Sequence, residues 1–248
     1  MKLLSRRYAT IIAALTLTAG TAAIAGPADY VYTPAVEYGE KEIDFKFGTG
    51  RQGDAARESA ASIGFGYGAT EWWFTEFYVK YKMNSFEPTK YDALEWENKF
   101  QLTQQGQYPV DLGLLVEVER PTDRTEGWEV KWGPLLQTEY GKWQLNANVL
   151  FQRNYRAAIP SGTVLQYQWQ AKYRWEKELE FGVQGFGEVG QWDDWLPGDQ
   201  RDHKLGPAIF GKLPLGDRQA IRYNVAWLLG ASQAAHDHTL RLQLEYEF

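Results

Sequence analysis

The chain has 248 residues, with 26 Lys+Arg against 32 Asp+Glu and a formal charge of −6. It contains no cysteine, which excludes disulfide frameworks, thiolate catalysis and cysteine-ligated zinc. The acidic balance, without basic runs, lacks the clustered Lys and Arg that nucleic-acid phosphates demand.

At the N-terminus, Lys2, Arg6 and Arg7 precede a mostly apolar run from Tyr8 to Ala19, and Ala23-Ile24-Ala25 has the form of a cleavage site. This is the layout of a secretory signal peptide. The run is too short for a membrane anchor, because a helical span needs about 20 apolar residues. Residues 1–25 are therefore expected to be cleaved on export. Taking three positive charges from 26 leaves 23 against 32, a charge of −9. Residues 26–40 read as a short periplasmic N-terminal segment and 41–248 as the folded body. No later stretch has the length and apolarity of a transmembrane helix.

From residue 41 onward the chain alternates. Twelve segments carry apolar and polar residues with a period of 2: 41–49, 59–69, 71–83, 90–102, 110–120, 127–138, 143–154, 163–174, 179–189, 203–213, 219–230 and 237–248. In 110–119, Val110, Leu112, Leu114, Val116 and Val118 oppose Asp111, Gly113, Leu115, Glu117 and Glu119. In 163–174, Leu165, Tyr167, Trp169, Ala171 and Tyr173 oppose Gln166, Gln168, Gln170, Lys172 and Arg174. A helix would repeat at i, i+3 and i+4; this period belongs to strands with one apolar face. Most segments approach the 9–11 residues of a tilted strand crossing a bilayer. The connections sort by end: 50–58, 84–89, 121–126, 155–162, 190–202 and 231–236 are mostly long and polar, and those between them are mostly shorter. An even strand count with loops sorted in this way predicts an all-β, antiparallel, up-and-down transmembrane barrel of twelve strands, with ten or fourteen as the neighbouring solutions. Closure pairs every backbone N–H and C=O, which lipid requires and an open sheet cannot supply.

Some residues strain this pattern. Asn98 and Arg153 fall on the lipid-facing side, where Asn98 calls for a local bulge or a contact with another subunit. Pro134 and Pro207, after Gly133 and Gly206, suggest bulges or bends. Trp72, Trp73, Phe100, Tyr108, Tyr140, Trp143, Tyr173, Trp175, Tyr246 and Phe248 gather at the short-turn end as an aromatic girdle.

The ending Leu240-Arg241-Leu242-Gln243-Leu244-Glu245-Tyr246-Glu247-Phe248 resembles the C-terminal strand signal of bacterial outer-membrane β-barrels, with Tyr246 and Phe248 as its aromatic positions. Gly66-Tyr67-Gly68-Ala69-Thr70-Glu71-Trp72-Trp73 and Glu95-Trp96-Glu97-Asn98-Lys99-Phe100-Gln101-Leu102 are similar to an uncharacterised proteobacterial outer-membrane protein family. The resemblance covers the mature chain as architecture. It implies the outer membrane of a Gram-negative cell, a surround of lipid and lipopolysaccharide, and recognition by the barrel-insertion machinery. It carries over no catalytic residue, implies no cofactor and leaves the oligomeric state open.

The inward face holds the candidate site. Glu95, Glu97, Asp111, Glu117 and Glu119 form an acidic wall; Lys204, Lys212, Arg222 and Arg241 form a basic wall about six strands away. Two readings stand. The walls set a transverse field across a narrow pore for small polar or zwitterionic solutes, or the charges pair and close the lumen. Ser62, Gly64 and Gly66 leave a void beside Phe74 and Tyr78 that is either a pocket or the space over which those rings fold. His203, His236 and His238 lie at the rim, where His236-Asp237-His238 with Asp193, Asp194 or Asp202 is a weak metal candidate. Asp193-Asp194 with Asp237-His238 resembles the rim pairs of omptin-type proteases, but the spacing differs and those barrels have ten strands. Ser62, Ser161 and Ser232 lack a matching histidine for an outer-membrane phospholipase, so no enzyme is assigned. The expected function is a small porin-like channel or binding barrel for passive transport. The alternatives are a closed barrel with a rim hydrolase or metal site, or a purely structural barrel.

Overall fold

The computed structural model describes residues 26–248; the signal-peptide assignment of 1–25 lies outside the described residues. The strands are β1 (Lys41–Arg51), β2 (Glu58–Gly68), β3 (Trp73–Asn84), β4 (Glu87–Gln101), β5 (Asp111–Pro121), β6 (Trp128–Tyr140), β7 (Trp143–Tyr155), β8 (Val164–Glu176), β9 (Leu179–Gln191), β10 (Asp194–Trp195), β11 (Asp202–Gly216), β12 (Gln219–Gly230) and β13 (His238–Glu247). Every barrel strand pairs antiparallel with its neighbour in the chain, β9 passing on to β11, and β1 pairs with β13 from Glu42↔Glu247 to Arg51↔His238. The result is a closed twelve-stranded barrel, with β10 a two-residue addition to β9.

The barrel strands lie within about three residues of the alternating segments, because side-chain alternation on a closed sheet is the same signal in sequence and in space. Two-residue turns at 141–142, 177–178 and 217–218 mark one end, and loops 122–127, 156–163, 192–201 and 231–237 mark the other. Two connections differ from the pattern. Ser85-Phe86 alone joins β3 to β4, whose ladders run further than the predicted 84–89 loop allows, and 102–110 is a long connection at the short-turn end.

Polar residues alternate inward and apolar ones outward. Ile43, Phe45, Ile63, Phe65, Phe77, Leu94, Trp96, Leu145, Val183, Leu205 and Leu240 remain exposed on the outer surface, the band a bilayer requires. Aromatic residues rim this band. At the short-turn end Trp72 stacks on Phe100, Trp143 meets Tyr173, Trp175 stacks on Phe181, and Tyr246 stacks on Phe248. Trp128, Tyr155, Trp192, Trp195 and Trp227 are exposed at the other end.

The prolines cause no register shift. Trp132↔Phe151 and Leu135↔Asn148 keep one register across Pro134, and Leu205↔Leu229 and Ala208↔Ala226 keep one across Pro207. The glycine before each proline lets a neighbouring carbonyl approach, Val149 O at Gly133 and Trp227 O at Gly206, where a Cβ would collide. The ladder thus loses local pairs without slipping.

Asn98 faces outward as its alternation requires, yet it is only 6% exposed. The Trp73 indole N–H donates to its Oδ1 at 2.9 Å from the neighbouring strand, and Trp73 stacks on Phe100. Neither a bulge nor a second subunit is needed to satisfy this amide; the extra residue in β4 lies at Asp92, six residues away. Trp96 does the same for Thr75 at 2.8 Å. Replacing Trp73 by Phe would strand the Asn98 amide and cost about 1–3 kcal/mol. Urea unfolding in micelles should show this loss in Trp73→Phe and its recovery in Trp73→Phe/Asn98→Leu.

Candidate functional site

Several inward positions are apolar where alternation predicts polar groups: Leu115, Leu135 and Leu150 on β5–β7, and Phe186, Ala208, Phe210, Ala226 and Leu228 on β9, β11 and β12. These form two sockets for the segment before β1. Tyr32 packs with the first set and Val31 with the second. Of the segment 26–40, residues 27–36 run along the inside of the barrel wall, whereas Glu37, Tyr38 and Gly39 are exposed at its mouth. Gly39, at φ 78°, reverses the chain beside β2, its N–H donating to Gly68 O at 2.8 Å. The Val36 N–H donates to Gln101 Oε1 at 2.8 Å, and Pro34 lies against Gly113. Further in, the Tyr32 hydroxyl donates to Glu117 at 3.0 Å, while its carbonyl accepts from Asn148 Nδ2 at 3.1 Å. The Tyr30 hydroxyl donates to Glu97 at 2.7 Å, and the Lys46 ammonium sits 3.6 Å from the Tyr30 ring centre. Pro27 reaches Gly48, where a Cβ would not fit.

The charged residues of both walls belong to strands whose alternation turns them inward, and most find partners nearby. Lys80 Nζ lies 2.7 Å from Glu95 and 2.5 Å from Glu119, and Lys131 Nζ lies 3.0 Å from Glu117. Glu97 is held by Tyr30, and Asp111 accepts from the Gly106 N–H at 2.8 Å. On the other side, Lys204 lies 3.4 Å from Asp202, Lys212 lies 2.5 Å from Glu247, and Arg222 also pairs with Glu247. Arg241 donates to Gln184 at 3.1 Å and lies over Phe186. Two lysines thus meet three of the five acids and two carboxylates meet three of the four bases, while Glu97, Asp111 and Arg241 have neutral partners; the N-terminal segment stands between the two walls. β7–β9 contribute amides that bond mainly among themselves, such as Gln184 to Gln170 at 2.6 Å and Gln166 to Gln152 at 2.8 Å.

Phe74 and Tyr78 fold over the glycines of β2: a Cβ on Gly66 would strike the Phe74 ring, and one on Gly64 the Tyr78 ring. The void beside Ser62 is filled in this way, and the Tyr78 hydroxyl donates to Asp44 at 2.7 Å.

A cavity of about 750 Å³ remains at the short-turn end, below Tyr30 and Val31. Its wall mixes Lys99, Lys172, Arg174, Lys212 and Arg222 with Glu40, Glu42, Glu180 and Glu245, and adds Gln137, Gln144, Gln170 and Asn224. Lys172 pairs with Glu180 at 2.8 Å, and Arg174 makes a two-pronged contact with Glu139 at 2.8 and 2.6 Å. Glu40, just before β1, is pushed above the ordinary carboxylate range by burial, against the pull of Arg222. The strand alternation turns Lys99, Lys172, Arg174, Lys212, Arg222, Glu42 and Glu180 inward, but it says nothing of Glu40 or of the cavity, whose roof is the N-terminal segment.

The rim histidines do not converge. His236 is buried in the 231–237 loop against Gly50, with Nε2 3.5 Å from Glu58, whereas His238 is exposed beside Trp227 on β13. They occupy opposite faces because the loop is not extended at His236. His203 Nδ1 lies 2.8 Å from the Tyr167 hydroxyl. Asp237 accepts from the Gly53 N–H, Asp202 faces Lys204, and Ser232 accepts from the His203 backbone rather than its ring. Among the described residues, the group that could gather on a metal is Glu95, Glu117 and Glu119, with carboxylate oxygens within 4.8 Å of one another. Lysine ammonium groups already meet all three.

No family model and no curated protein matches the chain. Among solved structures it is similar to an outer membrane channel from Pseudomonas putida F1, at 12% identity over 86% of this chain and 97% of that one, with a TM-score of 0.55. It is similar to the NanC porin at 11% identity over 83% and 98%, with a TM-score of 0.54. The translocator domain of the autotransporter NalP from Neisseria meningitidis gives 14% identity over 86% and 89%, and a TM-score of 0.51. The fold is that of an outer-membrane β-barrel. At these identities the likeness concerns architecture and transfers no residue roles.

Lys80 bridges two buried carboxylates, so its removal leaves unpaired charge. Lys80→Met should lower stability by about 3–5 kcal/mol. Lys80→Met/Glu95→Gln/Glu119→Gln should recover most of it, read as the urea midpoint of the folded band on a heat-modifiable gel.

Proposed function

We propose that this chain is an integral outer-membrane protein of a Gram-negative bacterium. It is a small channel for passive passage of small polar or zwitterionic solutes, and residues 26–36 close it in the described state. Lipid and lipopolysaccharide surround its apolar band, and Tyr246 and Phe248, facing outward on the last strand, are presented to the insertion machinery. The observation that carries the reading is the cavity of about 750 Å³, which enters from the short-turn end and stops at Tyr30 and Val31 of the N-terminal segment. A vestibule lined by charged and amide side chains and ending on a non-strand segment reads as a pore with an obstruction; a barrel filled only by its own wall would need no such segment.

The same segment supports a second reading, a permanently sealed structural barrel, because local ion pairs and amide bonds fill much of the remaining lumen. Conductance separates the two. In planar bilayers the refolded wild type should show small or rare openings. Tyr30→Ala/Tyr32→Ala removes both hydroxyl anchors and one apolar contact, and should conduct steadily at a several-fold higher level. Silence in both proteins, with folding confirmed by heat-modifiable migration, would favour the sealed barrel.

A further inference from the structure

Six of the twelve charged residues lining the short-turn cavity have no ion pair among the described residues; Glu37, Lys177 and Glu178 of these are exposed, whereas Glu42, Lys99 and Glu245 are not. Glu42 is nine-tenths buried, lines the cavity and has no hydrogen-bond donor or cation in contact among the described residues. Its direct partner across the β1–β13 ladder is Glu247, already taken by Lys212 and Arg222. Its diagonal neighbour is Glu245, another cavity carboxylate, whose contact is the neutral Gln243 amide at 2.8 Å. Lys99 also lines the cavity and has no carboxylate within 4.0 Å among the described residues; its ammonium rests 4.5 Å from the Phe74 ring centre.

Phe74 lies between Glu42 and Lys99. It pairs with Lys99 on β4, and its ring folds over Gly66, the residue opposite Glu42 on β2, where it meets the Glu42 stem. Glu42 and Lys99 stand three strands apart, roughly 14 Å between backbones at about 4.8 Å per strand. Both side chains line the cavity, while the Phe74 ring between them is only 2% exposed and lies behind its wall. A carboxylate and an ammonium on one cavity wall, neither in contact with an opposite charge, are complementary to a small molecule that carries both a cation and an anion.

We propose that this end of the lumen binds an amino-acid zwitterion, its ammonium accepted by Glu42 with Glu245 alongside and its carboxylate by Lys99. Pairing a buried carboxylate and a half-buried ammonium that have no opposite charge in contact provides the attraction, and the cavity volume falls in the range of small-molecule sites. The inference rests on the channel reading only in taking the short-turn end as open to solute.

Isothermal titration of the folded protein in micelles with glycine, L-serine and L-phenylalanine tests it, with acetate and methylammonium as half-molecules. At least one amino acid should bind, and each half-molecule should bind about tenfold more weakly or worse. Glu42→Gln and Lys99→Met should each weaken binding by about tenfold, while Arg124→Gln, in a loop at the opposite end, should leave it unchanged. If Glu42→Gln fails the heat-modifiability check for folding, Lys99→Met decides. Absence of binding by all three amino acids, equal binding of the half-molecules, or unchanged affinity in a folded Glu42→Gln or Lys99→Met protein would overturn the assignment. The titration involves no ion flow. Binding with both the wild type and Tyr30→Ala/Tyr32→Ala silent in bilayers would keep the site and end the channel reading; conductance without binding would do the reverse.

Discussion

Everything in this molecule depends on the ladder between its first and last strands. Ten residue pairs, Glu42↔Glu247 to Arg51↔His238, join β1 to β13 and turn an open sheet into a ring. In hydrocarbon an unpaired backbone N–H or C=O costs several kcal/mol, so without this seam two full edges would be exposed to lipid. Closure also creates an inside. Once the ring is shut, each polar residue of the alternation faces a confined space and must find water, a partner or a plug. The Trp73–Asn98 and Trp96–Thr75 bonds show the same demand on the outside, where indole donors satisfy the outward polar groups.

Inside, neighbouring strands resolve the charge locally. Lys80 stands beside Glu95 and Glu119, and Lys131 beside Glu117, so part of the field that alternation suggests across the lumen is cancelled along its wall, while Glu97, Asp111 and Arg241 keep neutral partners. What remains is divided by the N-terminal segment. Below Tyr30 and Val31 a mixed-charge vestibule stays open. The hydroxyls of Tyr30 and Tyr32 bond to buried carboxylates and their rings fill apolar sockets. The segment is therefore fitted to the wall rather than merely trapped by it.

The fold was almost wholly legible in the sequence because a barrel strand writes its two environments into successive residues. Strand positions, strand number and the inward face of every charged candidate follow from that period. The pairing of those charges does not. Whether Glu119 meets Lys80 or a distant arginine depends on ladder register across three strands, which the period leaves free. His236 and His238 separate because the loop bends just before β13, a local detail that spacing alone cannot reveal. Residues 26–40 escape the pattern for a different reason: no periodic signal marks them. A signal was present elsewhere, however. Leu115, Leu135, Leu150, Phe186 and Phe210 break the polar alternation at inward positions, and Tyr30-Val31-Tyr32 supplies the matching apolar surface. Gly48 and Gly113, inward glycines facing that segment, make room for it.

The occupancy of the lumen by this segment can be read directly, because the protein has no cysteine of its own. A Cβ at Gly113 would stand 2.8 Å from that of Pro34, a short shift from the roughly 3.8 Å separation of a disulfide. Pro34→Cys/Gly113→Cys should therefore cross-link on mild oxidation of the folded barrel and lose all reactivity toward a maleimide. A segment that stays outside the barrel would leave the two introduced thiols uncross-linked, with the one before β1 freely labelled.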